Sequence, residues 1–161
     1  MNIDKRYPCV ADMEKTARRR IPGFMLEYVI NGLGSGVSVQ KNRDALNQVE
    51  LMPRYLSEAS HPEIRCTLFD QEYDAPFGVA PIGLSGLVWA NSERILAAAA
   101  KAHNVAYTLS TVATITLEEA RQIAGENGWF QLYSPKDPAV MTDILKRCQA
   151  AGYENLLVTV D

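Results

Sequence analysis

The sequence predicts an α/β fold in which helices precede a run of parallel βα units, and three observations carry that expectation. Apolar runs centred on Val79, Val105, Phe130 and Leu156 recur 26, 25 and 26 residues apart, the interval of one strand, one crossover helix and two loops. The last of these runs, Leu156-Leu157-Val158-Thr159-Val160, is a continuous apolar strand, as strands covered on both faces are. The intervening segments carry helix start and stop signals. The four runs share little sequence, so the period is structural and not a solenoid repeat. A doubly wound sheet and a barrel both fit it.

Residues 1–50 read as a helical segment. Asp12 is placed to cap a helix running to about Arg20, Ile21-Pro22-Gly23 breaks it, Phe24 to Asn31 resumes helical character, and a third helix covers Ser38 to Val49. The intervening Gly32-Leu33-Gly34-Ser35-Gly36 follows a helix and reads GxGxG. A dinucleotide fingerprint follows a strand, opens a helix and reads GxGxxG, so a helix C-cap and flexible connection are expected here.

Residues 51–76 form an extended lead-in. Met52 to Leu56 is extended, and Ile64 to Phe69 with Glu72-Tyr73-Asp74 makes a short hairpin turning at Asp70-Gln71, a plug or lid ahead of the main sheet.

From 77 to 161 the βα units follow. Phe77 to Ile82 reads as a buried strand, and a helix capped near Asn91 or Ser92 presents Ile95, Leu96, Ala99 and Ala102 on one side. Val105 to Leu109 is the second strand, and Thr116-Leu117-Glu118-Glu119 is a capping box opening a helix to about Ala124. Trp129 to Leu132 is the third strand. Asp137-Pro138 supplies N-cap and first helical position for a helix with a stripe of Val140, Met141, Ile144, Leu145, Cys148 and Ala151, stopped by Gly152. Leu156 to Val160 is the fourth strand.

Composition narrows the function classes. A net charge of −3 with 47% hydrophobic and 22% charged residues gives no basic field for nucleic acid or an acidic membrane. The one dense basic run, Arg18-Arg19-Arg20, falls at a helix end, where cations complement the dipole. Cys9, Cys66 and Cys148 are odd in number and scattered, and His61 and His103 have no second ligand at helical spacing, so neither disulfides nor a metal site is expected. The N-terminus has no apolar core of a signal peptide, and no stretch is long enough to span a bilayer. A cytoplasmic protein is expected, with peripheral contact at the inner membrane face compatible with the sequence.

The candidate site follows from alternation. Gln131 and Tyr133 share one face of an aromatic-rich strand, Phe130 and Leu132 the other. Each strand end is followed by small or polar residues: Gly83-Leu84-Ser85-Gly86, Ser110-Thr111, Tyr133-Ser134 and Asp161. Parallel α/β proteins bind ligands at the carboxyl ends of strands, so these positions converge on one mouth. A glutamine both donates and accepts, which suits a ring edge of alternating C=O and N–H groups such as the pyrimidine end of a flavin, and Thr159 adds a hydroxyl. Tyr133 offers a neutral phenol, and Asp161 could orient an imidazole. Singly, Gln131 could serve backbone groups, Tyr133 a rim, Thr159 a strand, Asp161 a helix cap and Tyr28 a core. Their joint placement with Ser110 points to a site.

In order and spacing, Ala80-Pro81-Ile82-Gly83-Leu84, Thr108-Leu109-Ser110-Thr111, Trp129-Phe130-Gln131-Leu132-Tyr133 and Leu157-Val158-Thr159-Val160-Asp161 resemble the FMN-dependent 2-hydroxy-acid oxidases and dehydrogenases, among them glycolate oxidase, L-lactate dehydrogenase and mandelate dehydrogenase. The likeness reaches back through Ile21-Pro22 and Tyr28 to Asn42-Arg43 and Pro53-Arg54. It implies a (β/α)8 TIM barrel preceded by helices, of which this chain holds roughly the first four βα units.

The resemblance also implies roles. Ala80, Pro81, Ile82 and Gly83 pass close to the flavin of FMN, Ser110, Gln131 and Thr159 hydrogen-bond its ring, Tyr28 and Tyr133 contact the substrate, and Asp161 pairs with a catalytic histidine. The implied reaction oxidises an L-2-hydroxy acid to the 2-oxo acid, with quinone or O2 as electron acceptor, commonly in a homotetramer.

Two departures qualify this. Val112 stands where plant glycolate oxidase has tryptophan, so that enzyme's substrate preference does not carry over. Gly83 stands where several oxidases have alanine, which resembles the dehydrogenase branch. A whole barrel takes about 250 residues, so the histidine base, the substrate arginines and the basic residues for the flavin phosphate are expected outside these 161 residues, and the chain alone is expected to be inactive. Two other readings stay open: a barrel fragment serving as an interaction module, and a different phosphate-binding barrel enzyme that shares only the period.

Overall fold

The computed structural model describes residues 3–56 and 62–160, which fall into two units, residues 1–61 and 62–161. The first unit is helical: α1 (Ile3–Arg6), α2 (Val10–Ala17), α3 (Gly23–Ile30) and α4 (Val37–Asn47). Helix α2 is shorter than its sequence predicts. It begins after Cys9, and Asp12 lies in its first turn, where its carboxylate accepts from Cys9 Sγ and Lys15 Nζ rather than capping. It stops at Ala17, and the N–H groups of Arg19 and Arg20 close tighter turns on the Thr16 and Ala17 carbonyls.

The glycine run serves the entry to α4 and not the exit from α3. Asn31 ends α3 in an extended conformation, whereas Gly36, at φ 72°, is the residue from which α4 starts. That left-handed turn suits a residue without Cβ.

The second unit opens with a hairpin of β1 (Cys66–Leu68) and β2 (Gln71–Tyr73), antiparallel, with Phe69 and Asp70 both at positive φ in the two-residue turn. Primed turns of this kind match strand twist. The hairpin caps the amino ends of the main sheet. The Trp129 indole N–H donates to the Tyr73 hydroxyl at 2.9 Å, and Phe69 meets the Trp129 ring edge-on at 5.4 Å. Asn104 Nδ2 donates to the Glu72 carbonyl and the Asp74 carboxylate, and Asn127 Nδ2 donates to Asn104 Oδ1 and the Val105 carbonyl.

The main sheet is four parallel strands in sequence order, β3 (Gly78–Val79), β4 (Ala106–Leu109), β5 (Gly128–Tyr133) and β6 (Leu156–Thr159). Its connections are α5 (Ser85–Val88), α6 (Ser92–Ala102), α7 (Leu117–Ala124) and α8 (Pro138–Ala151). Sequential parallel neighbours are the arrangement of consecutive βα units in a (β/α)8 barrel, and the described strands make half of one. The core lies between sheet and helices: Tyr107, Leu109, Phe130 and Leu132 pack with Ala97 and Ala100 of α6, Ala120 and Ala124 of α7 and Cys148 of α8. Small helix residues let the helices lie close to the strands. Burial pushes the Cys148 thiol up to about 11, so it behaves as a small apolar group.

Two helix starts match the sequence. The Thr116 hydroxyl accepts from Glu119 N–H at 3.2 Å, and Asp137 accepts from Ala139 N–H at 2.8 Å. Gly152, at φ 84°, ends α8 in the left-handed conformation.

Other expectations fail for identifiable reasons. Only Gly78 and Val79 of the Phe77–Ile82 run pair in the sheet, and Phe77 beside this outer strand is 69% exposed. Asn91 precedes α6 as foreseen, but at φ 61°, with its side chain accepting from Arg94 Nη1 in place of a cap. The buried stripe of α6 is Glu93, Leu96, Ala97 and Ala100; Ile95, Ala99 and Ala102 are exposed. On α8, Val140 and Leu145 likewise face outward. Ser85–Val88, which begins in the run of small and polar residues after the first strand, is a short helix.

Glu93 rotates α6 away from its apolar pattern. Its side chain is buried, 2% exposed, and Oε1 accepts from Gly86 N–H at 3.1 Å, Thr114 N–H at 2.9 Å and the Thr114 hydroxyl at 2.8 Å, while Oε2 accepts from the Ser92 hydroxyl at 3.3 Å. Burial alone would raise its pKa, but the donors of Thr114 and Ser85 outweigh that and hold the carboxyl at about 2. Tyr107, across on β4, is pushed up by its own burial and stays neutral, and Arg94 on the same helix is paired with Glu119. A folded value below the ordinary 4.5 means that Glu93 stabilises the fold above pH about 4.5, and that this stabilisation is lost as pH falls toward 2. The expected loss is on the order of 3 kcal/mol. Urea unfolding between pH 6 and 2.5 measures it, and Glu93→Gln should flatten that part of the profile.

Candidate functional site

Alternation places Ser110, Gln131, Tyr133 and Thr159 on the sheet face opposite the helices, at the carboxyl ends of β4, β5 and β6. The register aligns Tyr133 with Thr159 and Gln131 with Leu157. Phe130 and Leu132, one residue out of phase, lie in the helix-side core.

Gln131 is the centre of the group and is 3% exposed. Its Oε1 accepts from the Ser110 hydroxyl at 3.2 Å and the Thr111 backbone N–H at 3.1 Å, and its Nε2 donates to Thr159 Oγ1 at 2.7 Å. A backbone N–H can only donate, so Thr111 decides which end of the carboxamide is oxygen. The nitrogen must then face Thr159. Thr159 accepts from it and keeps its own proton for another acceptor, and one Nε2 hydrogen stays uncommitted. Ser110 has its proton on Gln131 and accepts from Val112 N–H at 3.3 Å, which leaves it one lone pair.

Thr111 extends the sheet where the ladder ends. The last β4–β5 partners are Leu109 and Phe130. Beyond them the Thr111 hydroxyl donates to the Gln131 carbonyl at 2.5 Å and accepts from Tyr133 N–H at 3.0 Å. Tyr133 is thereby held at the rim, 43% exposed. The sequence placed Thr111 in a polar strand end but gave it no role, since its contacts lie 20 and 22 residues away.

The remaining positions divide. Ala80 and Ile82 follow β3 and are exposed, with Pro81 and Gly83 half-buried beside them. Ala80 and Ile82 share a narrow crevice with Ser85, Glu93, Thr108 and Ser110, so the β3 and β4 ends do come together. Tyr28 lies on α3 in the other unit and is largely exposed. Asp161 lies outside the described residues. His103 ends α6 at the opposite, amino end of the sheet, beside an apolar cavity of about 320 Å3 lined by Ala75, Phe77 and Val79. No imidazole stands at the mouth among the described residues, and no group of three or more His, Cys, Asp or Glu among them could hold a metal ion.

The profile of the FMN-dependent dehydrogenase family matches residues 17–161. The chain belongs to that family. Among curated relatives, an L-lactate dehydrogenase of Xanthobacter autotrophicus is 35% identical over 94% of this chain and 39% of its own length, and an L-lactate oxidase of Lysinibacillus sphaericus is 32% identical over 99% and 42%. A crystal structure of mandelate oxidase superposes with a TM-score of 0.90 at 33% identity, over 96% of this chain and 45% of that one. The chain thus spans less than half the length of the relatives it matches.

The described residues fit an FMN-dependent dehydrogenase at the flavin edge. A flavin's pyrimidine edge carries two carbonyl oxygens around an N–H, and the uncommitted groups here are two donors, on Gln131 and Thr159, and one acceptor, on Ser110. Among the described residues no helix is long and apolar enough to cross a membrane.

The Thr111 hydroxyl makes two hydrogen bonds that a valine of the same shape cannot. Thr111→Val should lower stability by about 1–2 kcal/mol, read by urea unfolding, and should speed amide exchange at Tyr133.

Proposed function

We propose that this chain supplies the flavin-edge and substrate-tyrosine portion of an FMN-dependent enzyme that oxidises a lactate-like L-2-hydroxy acid to the 2-oxo acid. The observation that carries the reading is the Gln131 carboxamide, fixed in one orientation by Thr111 N–H with its remaining donor beside that of Thr159. FMN, when bound, would take up a hydride equivalent, which carries both electrons, from the substrate α-carbon. Gln131 and Thr159 would donate to its ring carbonyls, Ser110 would accept from the ring N–H, and Ala80, Pro81, Ile82 and Gly83 would line its approach.

Tyr133, held at the rim through its backbone, would donate its phenol proton to the substrate carboxylate or hydroxyl, with Tyr28 as the second phenol and Asp161 as the orienting group for an imidazole. No imidazole stands at the strand ends among the described residues, so the 161 residues alone are proposed to be inactive. Gly83 favours a dehydrogenase passing electrons to quinone over an oxidase using O2, with the protein working as a homo-oligomer in the cytoplasm, in part at the membrane face.

Joining this chain to the remaining half of a family L-lactate dehydrogenase should give a yellow protein that oxidises L-lactate faster with a quinone acceptor than with dioxygen. Tyr133→Phe in that protein should lower kcat on the order of 10²-fold without bleaching it. A folded but colourless product would overturn the flavin reading.

A further inference from the structure

The loops that follow β3 and β4 carry Ala80 to Gly83 and Ser110 to Val112, and they are joined by a residue of helix α6. Glu93 sits in the first turn of α6 with its carboxylate inside the first loop. It accepts from Gly86 N–H on that loop and from both Thr114 donors on the second. Contact between the loops is close enough that a Cβ on Gly86 would fall 1.9 Å from Thr114 Oγ1 and 3.1 Å from Glu93 Oε2, so only glycine fits. A second link lies nearer the mouth: Leu84 N–H donates to the Val112 carbonyl at 3.0 Å. Leu84 and Asn91 both hold left-handed backbone, at φ 53° and 61°, conformations that persist only where surrounding contacts enforce them. The crevice shared by Glu93, Ser85, Ala80, Ile82, Thr108 and Ser110 has no room for a water molecule.

We infer that Glu93 is a positioning residue: its buried carboxylate sets the separation of the two loops that frame the carboxyl-end mouth, and through Leu84 and Val112 it fixes where Ser110 stands. Three donors from two loops converge on one oxygen, which a neutral side chain would hold less firmly, since charge-assisted hydrogen bonds are about twice as strong as neutral ones. The inference takes from the proposed function only that the mouth is the working end. It concerns loop geometry and holds or fails without any flavin.

Amide hydrogen exchange on the full chain and on Glu93→Gln decides it. The expected result is roughly 10-fold faster exchange at Gly86 and Thr114, which Glu93 touches, and also at Leu84 and Val112, which it does not touch, with Phe130 and Leu132 in the ladder unchanged. Faster exchange confined to Gly86 and Thr114 would overturn the inference, because Glu93 would then serve only its own bonds. Equal loosening of the whole sheet would overturn it too, leaving Glu93 a determinant of the fold alone. Should Glu93→Gln fail to fold, Thr114→Val decides in its place: it removes one of the three bonds, and faster exchange at Leu84 supports the inference while an unchanged Leu84 overturns it. Flavin binding by the joined protein is measured separately, so a colourless protein with the expected exchange pattern would defeat the functional reading and leave the positioning role standing.

Discussion

The constraint on which the site depends is the direction of one backbone N–H. Thr111 N–H can only donate, and by meeting Gln131 at 3.1 Å it makes that end of the carboxamide the oxygen. Everything else at the strand ends follows from that choice: the nitrogen on Thr159, the Thr159 proton left over, the Ser110 proton consumed. A buried amide with the opposite orientation would set N–H against N–H, an unsatisfied contact of the kind that costs 1–3 kcal/mol in an interior. The residue types therefore allow a flavin edge, but a main-chain group on the neighbouring strand decides the donor pattern.

The two ends of the sheet are built from different materials. At the amino ends, Trp129, Tyr73, Asn104 and Asn127 satisfy one another, and the hairpin closes over them. At the carboxyl ends, hydrogen bonds leave particular groups uncommitted. Trp129 and Gln131 point to the same face two residues apart, yet the first meets a plug and the second a mouth. Parallel strands impose this polarity, because every βα loop leaves from the same end. It also explains why His103, at the end of α6, has no part in the mouth.

What the sequence discloses depends on how far apart the partners lie. Thr116 and Asp137 contact residues two or three positions away, and their roles as caps are readable from the sequence. The face shared by Gln131 and Tyr133 is readable as well, since strand alternation is local. Thr111 acts on Gln131, 20 positions away, and Glu93 takes two of its donors from Thr114, 21 positions away. For Glu93 the local pattern misleads, because a charged residue marks a solvent face in the usual reading of a helix. The apolar period of α6 then selects Ile95, Leu96, Ala99 and Ala102, of which only Leu96 belongs to the buried stripe. A buried carboxylate is invisible to a hydrophobic pattern until its donors are known, and those are the backbone amides of Gly86 and Thr114 and the hydroxyls of Thr114 and Ser92.

The outer strands show the same limit from the other side. Leu156 and Val158 continue the apolar pattern of Phe130 and Leu132, and the register makes them direct partners. Yet Phe130 and Leu132 are in the core, whereas Leu156 and Val158 are 42% and 53% exposed. The difference is position: β5 has a strand on each side and helices over one face, while β3 and β6 each have one unpaired edge among the described residues. Parallel strands with continuous apolar runs are normally covered on both faces, and unpaired edges invite pairing. The composition of β6 therefore specifies a strand with neighbours on both sides. That requirement is satisfied in a closed barrel, the architecture in which Gln131, Tyr133 and Thr159 would face a shared interior and not one open side of a sheet.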